Sequence, residues 1–242
     1  MKNRIKLLSI FLCILLTQSS CEKDETETAP AKEYGSVTDS EGNTYKTIKI
    51  GNQWWMAEDL RTTKFSDGTS VSQMQDANGW LNPQPYYCIY DNSPQVPGLL
   101  YNWYAVMDPR GIAPEGWRIP TDEDWKELER YLEMTAEETD KTGWRGQKEG
   151  NSLKIEGYEG WDTYGENWPD NASGFSAIAG GCRLWNGTWG QPGLLSTGFW
   201  WTSSEHPNEE AWYRHLDYKR SDIFRYHGSK AHGFAIRCIK NN

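Results

Sequence analysis

The chain is short of long apolar runs. Its longest, Leu7 to Leu16, is about ten residues, where a spanning helix needs roughly 18 or more, so a permanent membrane helix is not expected. Cysteine and histidine are sparse too, with five and four respectively, and no Cys-x-x-Cys pair occurs, which argues against a zinc ribbon or a thioredoxin-like centre. Positive charge is in deficit, at 25 Lys and Arg against 34 Asp and Glu, a formal net charge of −9. Such a surface repels phosphate backbones, so nucleic acid is not an expected partner. There is no internal repeat. No string sets a nucleophile beside a base or pairs two carboxylates, so catalysis is not expected.

What is present begins with Lys2, Arg4 and Lys6, followed by the apolar run and then Ser19-Ser20-Cys21. This is a secretory layout, and small residues before a cysteine suit the peptidase that leaves a lipidated cysteine at the new N-terminus. Residues 1–20 are thus expected to be a lipoprotein signal peptide, with lipid on Cys21. Glu22-Lys23-Asp24-Glu25-Thr26-Glu27 is too polar to offset its ordering entropy, so 21–33 is expected to be an acidic tether. Its Lys-Asp-Glu also resembles the signal that exports lipoproteins to the cell surface in Bacteroidota-type bacteria. The implied location is the outer membrane, lipid-anchored and surface-exposed. Residues 34–242 remain for one globular domain, long enough to bury a core without disulfide staples.

Within that domain, Thr44 to Ile50 alternates and is β-branched between turn residues, which predicts a strand. Trp54 to Leu60 reads equally as a helical turn or a buried strand. One helix is clear, from about 121 to 134: Thr121 caps it, Asp122, Glu123 and Asp124 sit at the positive end of its dipole, and Trp125, Leu128 and Leu132 share a face. Residues 141 to 193 are rich in glycine and aromatics with little period, which predicts long loops. Strands are expected at 198–204, 211–217 and 233–239, joined as antiparallel hairpins. The fold class is α+β, loop-rich, with short antiparallel strands and that one helix.

Six strings, read in order, carry a resemblance. They are Gly51-Asn-Gln-Trp-Trp-Met-Ala-Glu-Asp-Leu60, Leu100-Tyr-Asn-Trp-Tyr-Ala-Val106, Gly116-Trp-Arg-Ile-Pro-Thr-Asp-Glu-Asp-Trp125, Ser173-Gly-Phe-Ser-Ala177, Trp200-Trp-Thr-Ser-Ser-Glu205 and Gly233-Phe-Ala-Ile-Arg-Cys238. Together they resemble the Fibrobacter succinogenes major paralogous domain of secreted bacterial proteins. The helix entry and the ending are also similar to formylglycine-generating enzymes and, more distantly, to C-type lectin-like folds. That likeness implies a loop-rich C-type lectin-like domain, and as fold analogy it implies no activity. The formylglycine-generating enzymes rely on paired redox cysteines, which Cys88, Cys182 and Cys238 do not match. Where the family commonly has a cysteine this chain has Ala113, and where it commonly has a tyrosine near Gly-Gly-x-Arg it has Cys182. The resemblance therefore implies Cys182–Cys238 as a replacement bridge.

Fourteen tryptophans exceed ordinary usage. Those inside the six strings are expected in the core. Trp144, Trp161, Trp168, Trp185 and Trp189 lie in the loop-rich middle among Gly, Asn and Asp, and an exposed indole stacks on sugar rings or anchors a protein contact. They are the ligand-binding candidates, with Asp170 and Asn171. No cofactor is expected. The nearest approach to a calcium loop is Glu166, Asn167, Asp170 and Asn171, because calcium wants six to eight oxygens and the usual lectin tripeptides are missing. The four histidines, all in the last strands and turns, are read as surface or structural. The function these observations imply is a surface-anchored lipoprotein whose extracellular module binds a glycan or an extracellular protein. The alternatives are a structural component of a surface complex and a glycan-acting enzyme, which would need two carboxylates about 5 to 10 Å apart.

Overall fold

The strand foreseen at 44 to 50 is present, and it lies inside a five-stranded sheet. In this computed structural model, which describes residues 31–93, 98–157, 160–162, 165 and 168–241, β1 (Tyr34–Thr38), β2 (Thr44–Ile50) and β3 (Gln53–Met56) run antiparallel in that order. β12 (Ile239–Lys240) and then β7 (Trp117–Arg118) complete the sheet, with β12 paired between β3 and β7. The expected signal peptide, Cys21 and nearly all of the expected tether fall outside the described residues. β2 and β3 are joined by Gly51-Asn52, with Gly51 at φ +60°, where a Cβ would strike the Tyr131 ring at 2.8 Å. Only glycine takes that turn without strain. The ambiguous segment after it is a strand, because alternation sends Trp55 to one face and Met56 to the other, both fully buried.

This alternation builds two cores rather than one. Tyr45, Met56, Trp201, Ile236 and Cys238 pack in one apolar cluster, whereas Ile48, Trp55, Trp200, Ala235 and Ile239 pack in another. The Trp200-Trp201 doublet thus divides its indoles between opposite faces of a strand.

The second sheet orders β8 (Gly143–Arg145), β11 (Ile223–Gly228), β10 (Glu210–Asp217) and β9 (Thr197–His206), antiparallel throughout. β9 and β10 match two of the expected strands. The third expectation, 233–239, needs correction: only Ile239 enters a strand, and Gly233, Phe234 and Ala235 make isolated bridges to Arg183, Tyr101 and Trp200. The partner of β10 is β11 instead. A small third sheet holds β4 (Ser72–Gln73), β5 (Tyr86–Cys88) and β6 (Leu100–Tyr101).

Among the described residues five α-helices accompany these strands: α1 (Ala77–Trp80), α2 (Trp103–Val106), α3 (Asp122–Tyr131), α4 (Ala136–Asp140) and α5 (Glu149–Leu153). The expected helix is α3, the longest. Its capping box is complete, with the Asp124 N–H donating to Thr121 Oγ1 at 3.1 Å and the Thr121 N–H to Asp124 Oδ2 at 2.6 Å. It stops at Tyr131, before the expected Met134, because Glu133 turns to φ +78°. The class is α+β and strand-dominated. No described helix is long and apolar enough to cross a membrane.

Buried cations do for the loops what ladders do for strands. Arg183, 1 % exposed, donates to the carbonyls of Met74, Gln75 and Gly187. Arg225 reaches Asp140 O and Lys141 O, and Lys154 reaches Asp217 O and Arg220 O. A buried carbonyl without a donor costs roughly 1–3 kcal/mol, so each cation holds two or three irregular segments in place. Burial pushes the Lys154 ammonium down to about 8, partly offset by Asp217 and Asp222. Beneath α3, Glu129 accepts from Arg145 and Arg214 at 2.6 Å each, and Asp122 accepts from Arg214 and Arg225 at 2.7 Å each. Burial alone would raise the Asp122 carboxyl, but Arg225 and Arg214 hold it well below the usual carboxylate range.

The cysteine expectation is corrected as well. Cys88, Cys182 and Cys238 are free, buried thiols. Cys182 belongs to a loop whose carbonyl takes the Gly190 N–H at 3.0 Å, whereas Cys238 lies beside β3, its carbonyl taking the Met56 N–H at 2.9 Å. Each is anchored by its own backbone pairing and fills apolar space as a thiol.

Candidate functional site

The five candidate indoles do not form one face. Trp161 is corrected outright: it is 1 % exposed, packs in the core with Leu153, Phe175 and Trp200, and spends its indole N–H on Ala177 O at 2.8 Å. Trp144 is half-buried on β8 at the sheet's edge, 5.1 Å from the rings of both His215 and Phe224, with the Arg220 guanidinium 4.4 Å above it. Trp189 is half-buried between Tyr90 and Arg183, each 5.0 Å away. Trp168 and Trp185 are the exposed pair, at 50 % and 57 %.

Trp185 stands at the tip of a tight turn closed by Leu184 N–H to Thr188 O at 2.8 Å. That turn is docked on α1, since a Cβ on Gly187, at φ +81°, would meet Ala77 O at 2.5 Å. Trp168 heads a different segment. Two residues on, Asp170 folds an Asx turn onto the Ala172 N–H at 2.9 Å, and Asn171 exchanges side-chain bonds with Ser176, at 2.9 Å to its Oγ and 3.0 Å from its N–H.

Of the calcium candidates, Glu166 and Asn167 lie outside the described residues. Asp170 and Asn171 turn a side-chain oxygen onto backbone N–H groups of their own loop.

Ser176 connects this loop to a groove of about 640 Å³, lined by Tyr34, Gly35, Lys46, Ala57, Glu58, Ile155, Ser176 and Ile178. Tyr34 is 60 % exposed on β1, and Gly35 beside it lies against the Trp54 ring, where even a Cβ would come within 3.3 Å. The floor is aliphatic and the rim polar. Glu58 accepts the Lys46 backbone N–H and has Arg61 at 3.8 Å. Among the described residues that line the groove, Glu58 is the one carboxylate.

A second constellation was not legible in the sequence. His206 ends β9 and is paired with Glu210, which opens β10; Trp212 follows Glu210 on the same face, and His227 of β11 is paired with Trp212. Register therefore brings His206, Glu210, Trp212 and His227 together. One ligand-type atom from each of His206, Glu210 and His227 lies within 4.8 Å of the others. The two imidazoles stack at 3.6 Å, 5° from parallel, and His227 Nδ1 meets Glu210 Oε2. The cue was cross-strand pairing across β11, a strand that sequence reading did not place.

The other two histidines, His215 and His232, are half-buried. Burial pushes His215 down to about 3, helped by Lys154, and burial pushes His232 down to about 4.

Residues 48–240 match the model of the Fibrobacter succinogenes major domain. The chain belongs to that family. Comparison with curated proteins gave no match, and neither did comparison with solved structures. The matched segment of this Fibrobacter succinogenes major domain holds the His206, Glu210 and His227 cluster, Trp168 and Trp185. Tyr34, Gly35 and Lys46 precede it, so the groove joins loop residues of the matched segment to β1 and the start of β2.

Proposed function

We infer that this protein is a surface-anchored lipoprotein whose Fibrobacter succinogenes major domain binds a glycan at the outer face of the cell. The observation that carries the reading is the groove beside Ser176, where an exposed tyrosine, an aliphatic floor and a charged rim meet. A sugar ring needs one flat apolar surface and several hydrogen-bonding edges, and Tyr34, Lys46, Glu58 and Ser176 supply both. Exposed Trp168, on the segment that ends at the Asn171–Ser176 contact, is a second candidate aromatic surface for the sugar. Glu58 is the one carboxylate among the described residues lining the groove, a composition that suits binding better than hydrolysis by a carboxylate pair. The likeness to C-type lectin-like folds is part of this proposal and points the same way. So do the lipoprotein-like start and acidic tether, which would display the domain outward.

The test is a glycan array probed with the chain cut before Cys21, in calcium and then in chelator. Binding to one sugar class, weakened at least tenfold by Tyr34→Ala or Trp168→Ala, is the expected result. Silence in both conditions from folded protein would reject the glycan reading. Stoichiometric partners in native membrane extracts would then favour the surface-assembly role.

A further inference from the structure

We propose that His206, Glu210 and His227 form a binding site for a divalent transition-metal ion of the zinc or copper(II) class, at the shared end of β9, β10 and β11. The donor set selects the metal. Two imidazole nitrogens and one carboxylate oxygen suit zinc, copper and nickel, whereas calcium and magnesium take oxygen ligands almost throughout.

The spacing fits a site open by a side-chain rotation. Ligand bonds of about 2.0–2.1 Å in a tetrahedral shell place donor atoms roughly 3.3 Å apart. Here they lie within 4.8 Å, so about 1.5 Å of closure suffices. All three side chains are half-buried at strand ends. Their backbones are already positioned by cross-strand pairing, which removes most of the ordering cost.

The present contacts show what the ion would replace. Glu210 Oε2 and His227 Nδ1 are hydrogen-bonding partners, and a dication binding the same oxygen and nitrogen would replace that bond. His206 Nδ1 accepts the Asn208 N–H at 3.3 Å, which fixes the ring and leaves Nε2 for the metal. Imidazole lone pairs lie in the ring plane, and planes only 5° apart and 3.6 Å distant cannot both point at one ion between them. Loading therefore breaks the stack. Trp212 stands edge-on to both rings, at 5.0 and 5.3 Å, so its fluorescence reports the change. Three protein ligands leave a fourth position for water or a partner's donor atom. The proposal is independent of the groove.

The experiment takes the full chain, without an affinity tag and stripped by chelator, and titrates zinc and then copper(II) by calorimetry and tryptophan fluorescence. Saturable one-to-one binding is expected, weakened at least about tenfold by Glu210→Gln and further by His206→Asn with His227→Asn. Binding that persists unchanged in the folded double variant would overturn the proposal. Absence of saturable binding of either metal would overturn it too. Should the double variant fail to fold, mass-mapped diethylpyrocarbonate labelling of the wild-type chain decides: the metal must protect His206 and His227, and unprotected rings sink the site.

Discussion

Arg237 donates from Nε to the Asp59 carboxylate at 2.6 Å, joining positions 178 residues apart. The same Asp59 oxygen takes the Trp200 indole N–H at 2.9 Å, and the guanidinium also reaches Phe175 O and Ser176 O. One buried ion pair thus ties the segment after β3, the loop beside the groove and the approach to β12. Asp59→Ala leaves a fully buried guanidinium without its counter-charge, a loss of about 3–5 kcal/mol. Urea unfolding followed by near-ultraviolet circular dichroism measures it. The Asp59→Ala, Arg237→Met double variant should lose less than the sum of its singles, and strict additivity would show the two residues to be uncoupled.

The tryptophans separate into two classes by exposure. Trp161→Ala opens a core cavity and should cost about 3–5 kcal/mol. Trp185→Ala, at a turn tip, should change stability by no more than about 0.5 kcal/mol. Parallel thermal melts check the contrast. A Trp185 variant as unstable as the Trp161 variant would mean that the turn on α1 is part of the core.

How far the sequence could be read depended on which side chains do the packing. β2 and α3 were legible because Ile48, Ile50, Trp125 and Leu128 bury apolar faces at the expected periods. β11 was not, because its inward position 225 carries an arginine that pairs with Asp122, so alternation is hidden behind charge. The same masking concealed Glu129, an acidic residue of α3 that is fully buried against two arginines. Trp161 was misjudged for the converse reason: its glycine-rich neighbours look like surface loop, yet Gly160 O and the Asp162 N–H pair with the backbones of Ala179 and Leu195 and seat the indole in the core. The groove and the histidine cluster needed strand register, which composition does not contain.

The thiols should be inert while the protein is folded. Burial pushes Cys88 and Cys182 up to about 12, and Cys238 further still, so almost no thiolate forms at neutral pH. Mass-mapped alkylation should leave these three unmodified in the native chain and label all three in denaturant without reductant. A disulfide-linked Cys182–Cys238 peptide under those conditions would contradict the structure.

Acid should destabilise the domain well before its ion pairs are protonated. His215 and His232 titrate near 6.5 when unfolded, yet burial holds them down to about 3 and about 4 in the fold. Between those limits the unfolded chain binds protons that the native chain refuses. Stability is therefore full above about pH 6.5 and falls as pH drops toward 4, by up to roughly 1.4 kcal/mol per pH unit for each ring. Asp122 adds its loss only below its unfolded value of about 3.9, as pH falls toward its depressed native value, so it overlaps the histidine window only at the acid end, where His215 is still titrating. His215 stacks on Phe199 at 4.1 Å, and His215→Phe keeps an aromatic ring there while removing the titration. Urea midpoints at pH 7.5, 5.5 and 4.5 should fall in the wild-type chain and fall about half as steeply in that variant. An unaltered slope would mean that His215 takes up its proton without unfolding.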